Sequence, residues 1–174
     1  MKRLLFFLAV LAVPSLALAE DEPQVFNAFA VVRAEGTLVR AAEKQVSLAG
    51  ALNGPLFVET DEGPVEAGTM ACSLAVRFDQ VERSQNGKGA CTFSAADGAA
   101  AWADWECAGY DYVGCRGKMT INGGSGRFAG IRGEGTMIWR PSLHQADLKP
   151  DGSSALVTSG LVIWRGFKLT RSAH

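Results

Sequence analysis

The sequence predicts an all-β protein: one antiparallel domain, a barrel or a sandwich, behind an N-terminal export signal. Three observations carry this reading. Apolar and polar side chains alternate strictly over the best strand candidate, turn residues recur at short spacing, and four cysteines follow a start that reads as a secretory leader. Alternation places one strand face on a core and the other in water, as antiparallel sheets allow.

Residues 1–19 have the form of a signal peptide: Lys2 and Arg3, an unbroken apolar run over 4–13, Pro14, then a small-residue exit at Ala17-Leu18-Ala19. Cleavage after Ala19 is expected. The apolar run is about half of the roughly 20 residues that a membrane-spanning helix needs. No later stretch approaches that length without a charge, Gly or Pro, so no membrane span is expected in the mature chain. Residues 20–174, about 155 of them, suffice for one core and hence one domain. With Lys2 and Arg3 gone, 15 basic side chains stand against 18 acidic ones, a net charge of about −3. The basic residues are scattered singly, which argues against nucleic acid as a partner.

A periplasmic or extracellular location favours disulfides among Cys72, Cys91, Cys107 and Cys115. Metal ligation would want a different spacing: there is no CxxC, and the only histidines are His144 and His174. No cofactor motif is visible, so none is expected.

The clearest strand covers 69–79, where Met70, Cys72, Leu74, Val76 and Phe78 alternate with smaller or polar residues. Further strands are expected at 25–33, 56–59, 90–95, 101–107, 116–121, 135–140 and 156–169. Turns are expected at Asn53-Gly54-Pro55, Asp61-Glu62-Gly63-Pro64, Asn86-Gly87, Asp97-Gly98, Gly123-Gly124 and Pro150-Asp151-Gly152. The alanine-rich stretch 38–52 competes as a helix. Gly50 and Asn53-Gly54-Pro55 would end it early, so strand or irregular structure is preferred.

One hairpin admits a register. With Cys107 opposite Cys115, Trp105 faces Gly117, Ala103 faces Met119 and Ala101 faces Ile121 on one apolar face. The other face then pairs Glu106 with Arg116 and Asp104 with Lys118. Opposite charges directly across strands stabilise by roughly 0.2–1 kcal/mol each. This favours a Cys107–Cys115 disulfide and leaves Cys72–Cys91 by elimination. A tight turn at Asn86-Gly87 would put Cys72 and Cys91 far out of register, so Cys91–Cys107 stays open as an alternative.

The densest motif is the glycine-rich run 123–135. It contains neither GxGxxG nor GxxxxGK[ST], and a β-type run follows it, so it does not read as a phosphate cradle. It reads as a tight strand connection with Phe128 and Ile131 turned inward. The run GGSGRFAGIRGEG resembles the Gly-Thr-Gly-x-Phe-x-Gly signature of allene-oxide-cyclase-like and dirigent-like barrels. Gly89-Ala90-Cys91-Thr92-Phe93 and Gly114-Cys115 resemble exported bacterial members of that group. The resemblance spans about 70–140 and implies an antiparallel barrel of about eight strands with an apolar cavity. It carries over no catalytic residue, and one barrel shape hosts unrelated functions.

Other motifs read as structure. Asp97-Gly98 lacks the alternating acidic ligands of a calcium loop and is expected in a hairpin turn. Glu59, Asp61 and Glu62 read as a solvated turn tip. No GxSxG elbow occurs, and His144, in the polar stretch 142–147, is expected on an exposed loop.

Trp105 is expected on the inner face and Trp102 on the outer, and the echo Ile138-Trp139-Arg140 with Ile163-Trp164-Arg165 suggests paired strands. Phe93, Trp105 and Met119 are the candidate ligand-binding residues, as the lining of a cavity mouth. The functional expectation is a non-enzymatic exported barrel that binds a small apolar molecule. The alternatives are an allene-oxide-cyclase-like isomerase or cyclase, and a filled barrel that serves as an envelope structural or partner-binding protein.

Overall fold

A computed structural model describes residues 22–148 and 154–171, and across them the chain is a single antiparallel eight-stranded β-barrel. The strands are β1 (Gln24–Ala42), β2 (Gln45–Thr60), β3 (Gly63–Asp79), β4 (Ser84–Ser94), β5 (Ala100–Tyr110), β6 (Gly114–Ser125), β7 (Ile131–Leu148) and β8 (Ser154–Arg171). Each pairs with the next, and β8 returns to β1. Closure leaves no edge strand with unpaired backbone groups. The signal-peptide residues 1–19 and Pro150-Asp151-Gly152 lie outside the described residues.

The strands are longer than the sequence suggests, because several turn-type residues are built into them. Asn53-Gly54-Pro55 lies inside β2, paired with Ala71, Met70 and Thr69. Gly54 serves close approach rather than a turn: a Cβ there would sit 1.9 Å from the Val31 carbonyl oxygen. Asn86-Gly87 lies inside β4, opposite Arg77 and Val76. The β3–β4 turn is instead residues 80–83, where the Asp79 carboxylate accepts from the Val81 and Glu82 N–H groups and Arg83 takes φ 51°. Gly123-Gly124 also belongs to a strand, at a bulge of β6 against Trp102 and Ala103.

The alanine-rich stretch is strand, turn and strand. β1 continues to Ala42, Glu43 and Lys44 turn, and β2 begins at Gln45. The stretch around His144 is strand as well, not loop, with His144 opposite Thr158. The turns expected at Asp61-Glu62 and Asp97-Gly98 are present. Gly98 has φ 80°, and Asp97 accepts from the Ala99 N–H.

Both disulfides, Cys72–Cys91 and Cys107–Cys115, are formed. Placing the β3–β4 turn at 80–83 sets Cys72 directly opposite Cys91, Cα atoms 4.0 Å apart, which removes the misregister that Asn86-Gly87 would cause. In the β5–β6 hairpin the register is two residues from the expected one. Cys107 lies opposite Gly117 and Cys115 opposite Gly109, so the bridge is diagonal, with Cα atoms 5.6 Å apart. The strands run on to Tyr110 and Gly114 around a three-residue loop in which Tyr112 takes φ 61°. A shift of two keeps every side chain on its face, so Trp105 now meets Met119 and Ala103 meets Ile121. Glu106 pairs with Lys118 instead of Arg116, and Asp104 lies opposite Thr120.

Inward side chains form one core: Ala28, Ala30, Val32 and Ala34 of β1, Met70, Cys72 and Leu74 of β3, Met119 and Ile121 of β6, and Val162, Trp164 and Phe167 of β8. Charged side chains such as Arg33, Glu35, Lys88, Glu106, Lys118 and Glu134 face outward. That polarity is the reverse of a membrane barrel, whose lipid-facing exterior is apolar. Among the described residues no helix is long and apolar enough to cross a membrane.

Candidate ligand chambers

The interior is not filled from end to end. Small residues on the inner faces, among them Ala34 and Gly87, cannot fill the space that eight strands enclose, and two chambers result. The larger, about 660 Å³, opens at the end formed by the β1–β2, β3–β4 and β5–β6 turns. The smaller, about 500 Å³, opens at the opposite end, where β1 begins and the β4–β5 and β6–β7 connections lie.

The larger chamber is walled by carbon and sulfur. Leu38, Leu48, Val76 and Leu156 face it with Met70, Met119, Met137 and both disulfides. Trp105 lies over the inner faces of Gly87 and Gly89. A Cβ on Gly87 would stand 3.2 Å from its ring, and one on Gly89 would stand 2.8 Å from Nε1, so these glycines make room for the indole. Polar groups are few. Gln85 is buried and donates from Nε2 to the Tyr110 carbonyl at 2.9 Å, and buried Thr158 also faces the chamber. The titratable groups that line it, Asp79, Arg83, Asp111 and Tyr112, sit at the turns. The Arg83 guanidinium lies over the Tyr112 ring, 5.7 Å from its centroid.

The smaller chamber is walled by Phe26, Phe93, Phe128, Trp164 and Phe167 with Val58 and other aliphatic residues. Phe128 and Ile131 turn inward to it, as the glycine-rich motif suggests. The motif itself forms the end of β6, a single 3-10 turn (Gly126–Phe128) and a left-handed Gly130 at φ 73°. Trp164 and Met119 close its floor: indole Nε1 donates to the Met119 Sδ at 3.1 Å, and Phe93 meets the indole edge-on, centroids 5.9 Å apart.

The three candidate residues therefore do not converge on one site. Trp105 faces the larger chamber, Phe93 the smaller, and Met119 stands between them. Trp102 is on the outer surface, 46% exposed. The two Ile-Trp-Arg triplets do pair, with Ile138 opposite Ile163, and each sends its tryptophan inward. Sequence reasoning missed Gln85 and Thr158, since a lone polar residue gives no pattern signal. It also missed Met137 and Trp139, although alternation along β7 places both on the inner face.

The remaining candidates are structural. Glu59 pairs with Arg165, and Asp97 stands 3.4 Å from Arg127. All four cysteines are oxidised, and among the described residues no group of three or more His, Cys, Asp or Glu stands together. Compared with known proteins, the chain matches no family model, and no curated protein matches it.

Proposed function

We propose that this protein is an exported binding protein that takes a small apolar molecule into its larger chamber. The observation that carries this reading is an apolar, sulfur-rich cavity of about 660 Å³ whose charged groups, among the described residues, are confined to its rim. That volume lies within the roughly 300–1,000 Å³ range of small-molecule sites, and few polar groups among many apolar ones is their usual lining. The rim groups Arg83 and Tyr112 are placed to meet a polar end left at the mouth. Kinship with allene-oxide-cyclase-like and dirigent-like barrels is part of the proposal, and the eight-stranded barrel supports it at the level of fold alone.

Binding is favoured over an isomerase or cyclase reading because general acid–base work needs a titratable group within reach of the reacting atoms. Among the described residues, none lines the larger chamber below the rim. It is favoured over a filled structural barrel by the volume itself.

Native mass spectrometry of gently purified protein tests the reading. A co-purified ligand of lipid-like mass is expected, with its retention lost in Val76→Trp, which fills the larger chamber. A bare protein that also excludes an apolar fluorescent dye would overturn it. Turnover of an epoxide panel would replace the binder with an enzyme.

A further inference from the structure

The smaller chamber is not a continuation of the larger. Among the described residues their linings share Met119 alone, and Met119 is 1% exposed. The buried Trp164 is tied to it through the indole-to-sulfur hydrogen bond and backed by Phe93. Met70, paired across the sheet with Phe93, lines the larger chamber while Phe93 lines the smaller, so the dividing layer runs between them.

The two linings also differ in chemistry. Among the described residues, the polar side chains on the smaller chamber are Gln24 and Ser94, at its mouth, and no charged side chain lines it. Five aromatic rings, Phe26, Phe93, Phe128, Trp164 and Phe167, surround the space. Such rings receive an aromatic guest edge-to-face or offset-stacked. An ionised group there would lose its water and gain no partner. A cavity of about 150 Å³ holds benzene, so one of about 500 Å³ accommodates two or three fused rings.

We propose that the smaller chamber is a second binding site, independent of the first, for an uncharged aromatic hydrocarbon of two to three rings. Its entrance passes Ala67, the extra residue of a β3 bulge between the partners of Leu56 and Phe57. A large side chain at that position closes the mouth without entering the dividing layer.

Titration with naphthalene, followed by calorimetry, and with 2-naphthoate as its charged counterpart, tests this. The wild type should bind naphthalene at the smaller chamber at least 10-fold more tightly than 2-naphthoate. Ala67→Trp should remove that site, and Val76→Trp should leave it intact. Val58→Phe, which fills the same chamber from β2, should repeat the loss and guards against misfolding of the first variant. Naphthalene binding that survives both Ala67→Trp and Val58→Phe but is lost in Val76→Trp would overturn the second site and leave the larger-chamber reading standing. Binding lost in the first two variants and unaffected by Val76→Trp supports the second site whatever the larger chamber does. No naphthalene binding in the folded wild type, or equal affinity for 2-naphthoate at this site, would also overturn it.

Discussion

The two halves of the barrel are built alike in backbone and unlike in what holds them. The half around the larger chamber is lined by both disulfides, joining β3 to β4 and β5 to β6, with tryptophan and methionine filling the gaps. The half around the smaller chamber has no cross-link among its lining residues. It is held by aromatic packing, above all Phe167, which is 2% exposed, lies 5.6 Å from Phe26 and covers Gly133 and Gly135. Residues around a void lack partner atoms on one side and forfeit dispersion attraction. The larger void therefore stands where covalent bonds hold the wall, and the packed half does without them.

Phe167→Ala is expected to have the largest effect, a loss of about 3–5 kcal/mol measured by urea denaturation, because the ring is buried and its contacts with Phe26, Gly133 and Gly135 would be lost together. Trp105→Ala, at a ring that is only half-buried, should cost markedly less. Equal losses would erase the distinction between a packed half and a stapled half. Replacing Cys72 and Cys91 together by alanine should cost about 3 kcal/mol, since the bridge closes a loop with a separation of 19 residues. The Cys107–Cys115 pair, with a separation of 8, should cost about 2.5 kcal/mol by the same entropic reasoning. Native-state hydrogen exchange should then show greater opening in β3 and β4 than in β8 for the first double variant. Uniform opening of all strands would mean that the barrel responds as one unit and the two halves are not separately held.

The smallest effect concerns the outer face of β6 and β7. Lys118 hydrogen-bonds Glu134, Nζ to Oε2 2.6 Å, and that bond, followed by the lysine's charge, holds the Glu134 carboxyl below its ordinary value of 4.5. A carboxyl lowered by folding contributes stability in full above its unfolded value, and the contribution is lost as pH falls through the folded one. Glu134→Gln should therefore leave stability at neutral pH almost unchanged and flatten its decline below about pH 4.5. Urea midpoints measured from pH 7 to pH 3 would show this, and an unaltered acid limb would remove Glu134 from the account.

Much of the fold was legible because alternation is local. Met70 to Phe78 announced their inner face, and the motif 123–135 announced a tight connection with Phe128 inward. What misled was glycine. Gly54 and Gly87 look like turn residues, yet they serve close approach to the Val31 carbonyl and to the Trp105 ring, partners that no neighbouring residue reveals. The β3–β4 turn is set by Asp79 capping its own loop, and the Asn86-Gly87 pair has no part in it. In the sequence Phe93, Trp105 and Met119 look like one site because each is aromatic or soft and faces inward. Whether inward residues meet depends on their height along the barrel.

By itself the sequence determined that the chain is built of antiparallel strands, where the centres of most of them lie, and which face of each is apolar, since each follows from side-chain period. Tertiary structure alone decided the register of the β5–β6 hairpin, the pairing of Cys72 with Cys91 across an unforeseen turn, and the division of the interior into two chambers. The physical reason is that a strand sets direction within a few residues, whereas a cavity is what remains when eight strands close and side chains distant in sequence fail to fill the same layer.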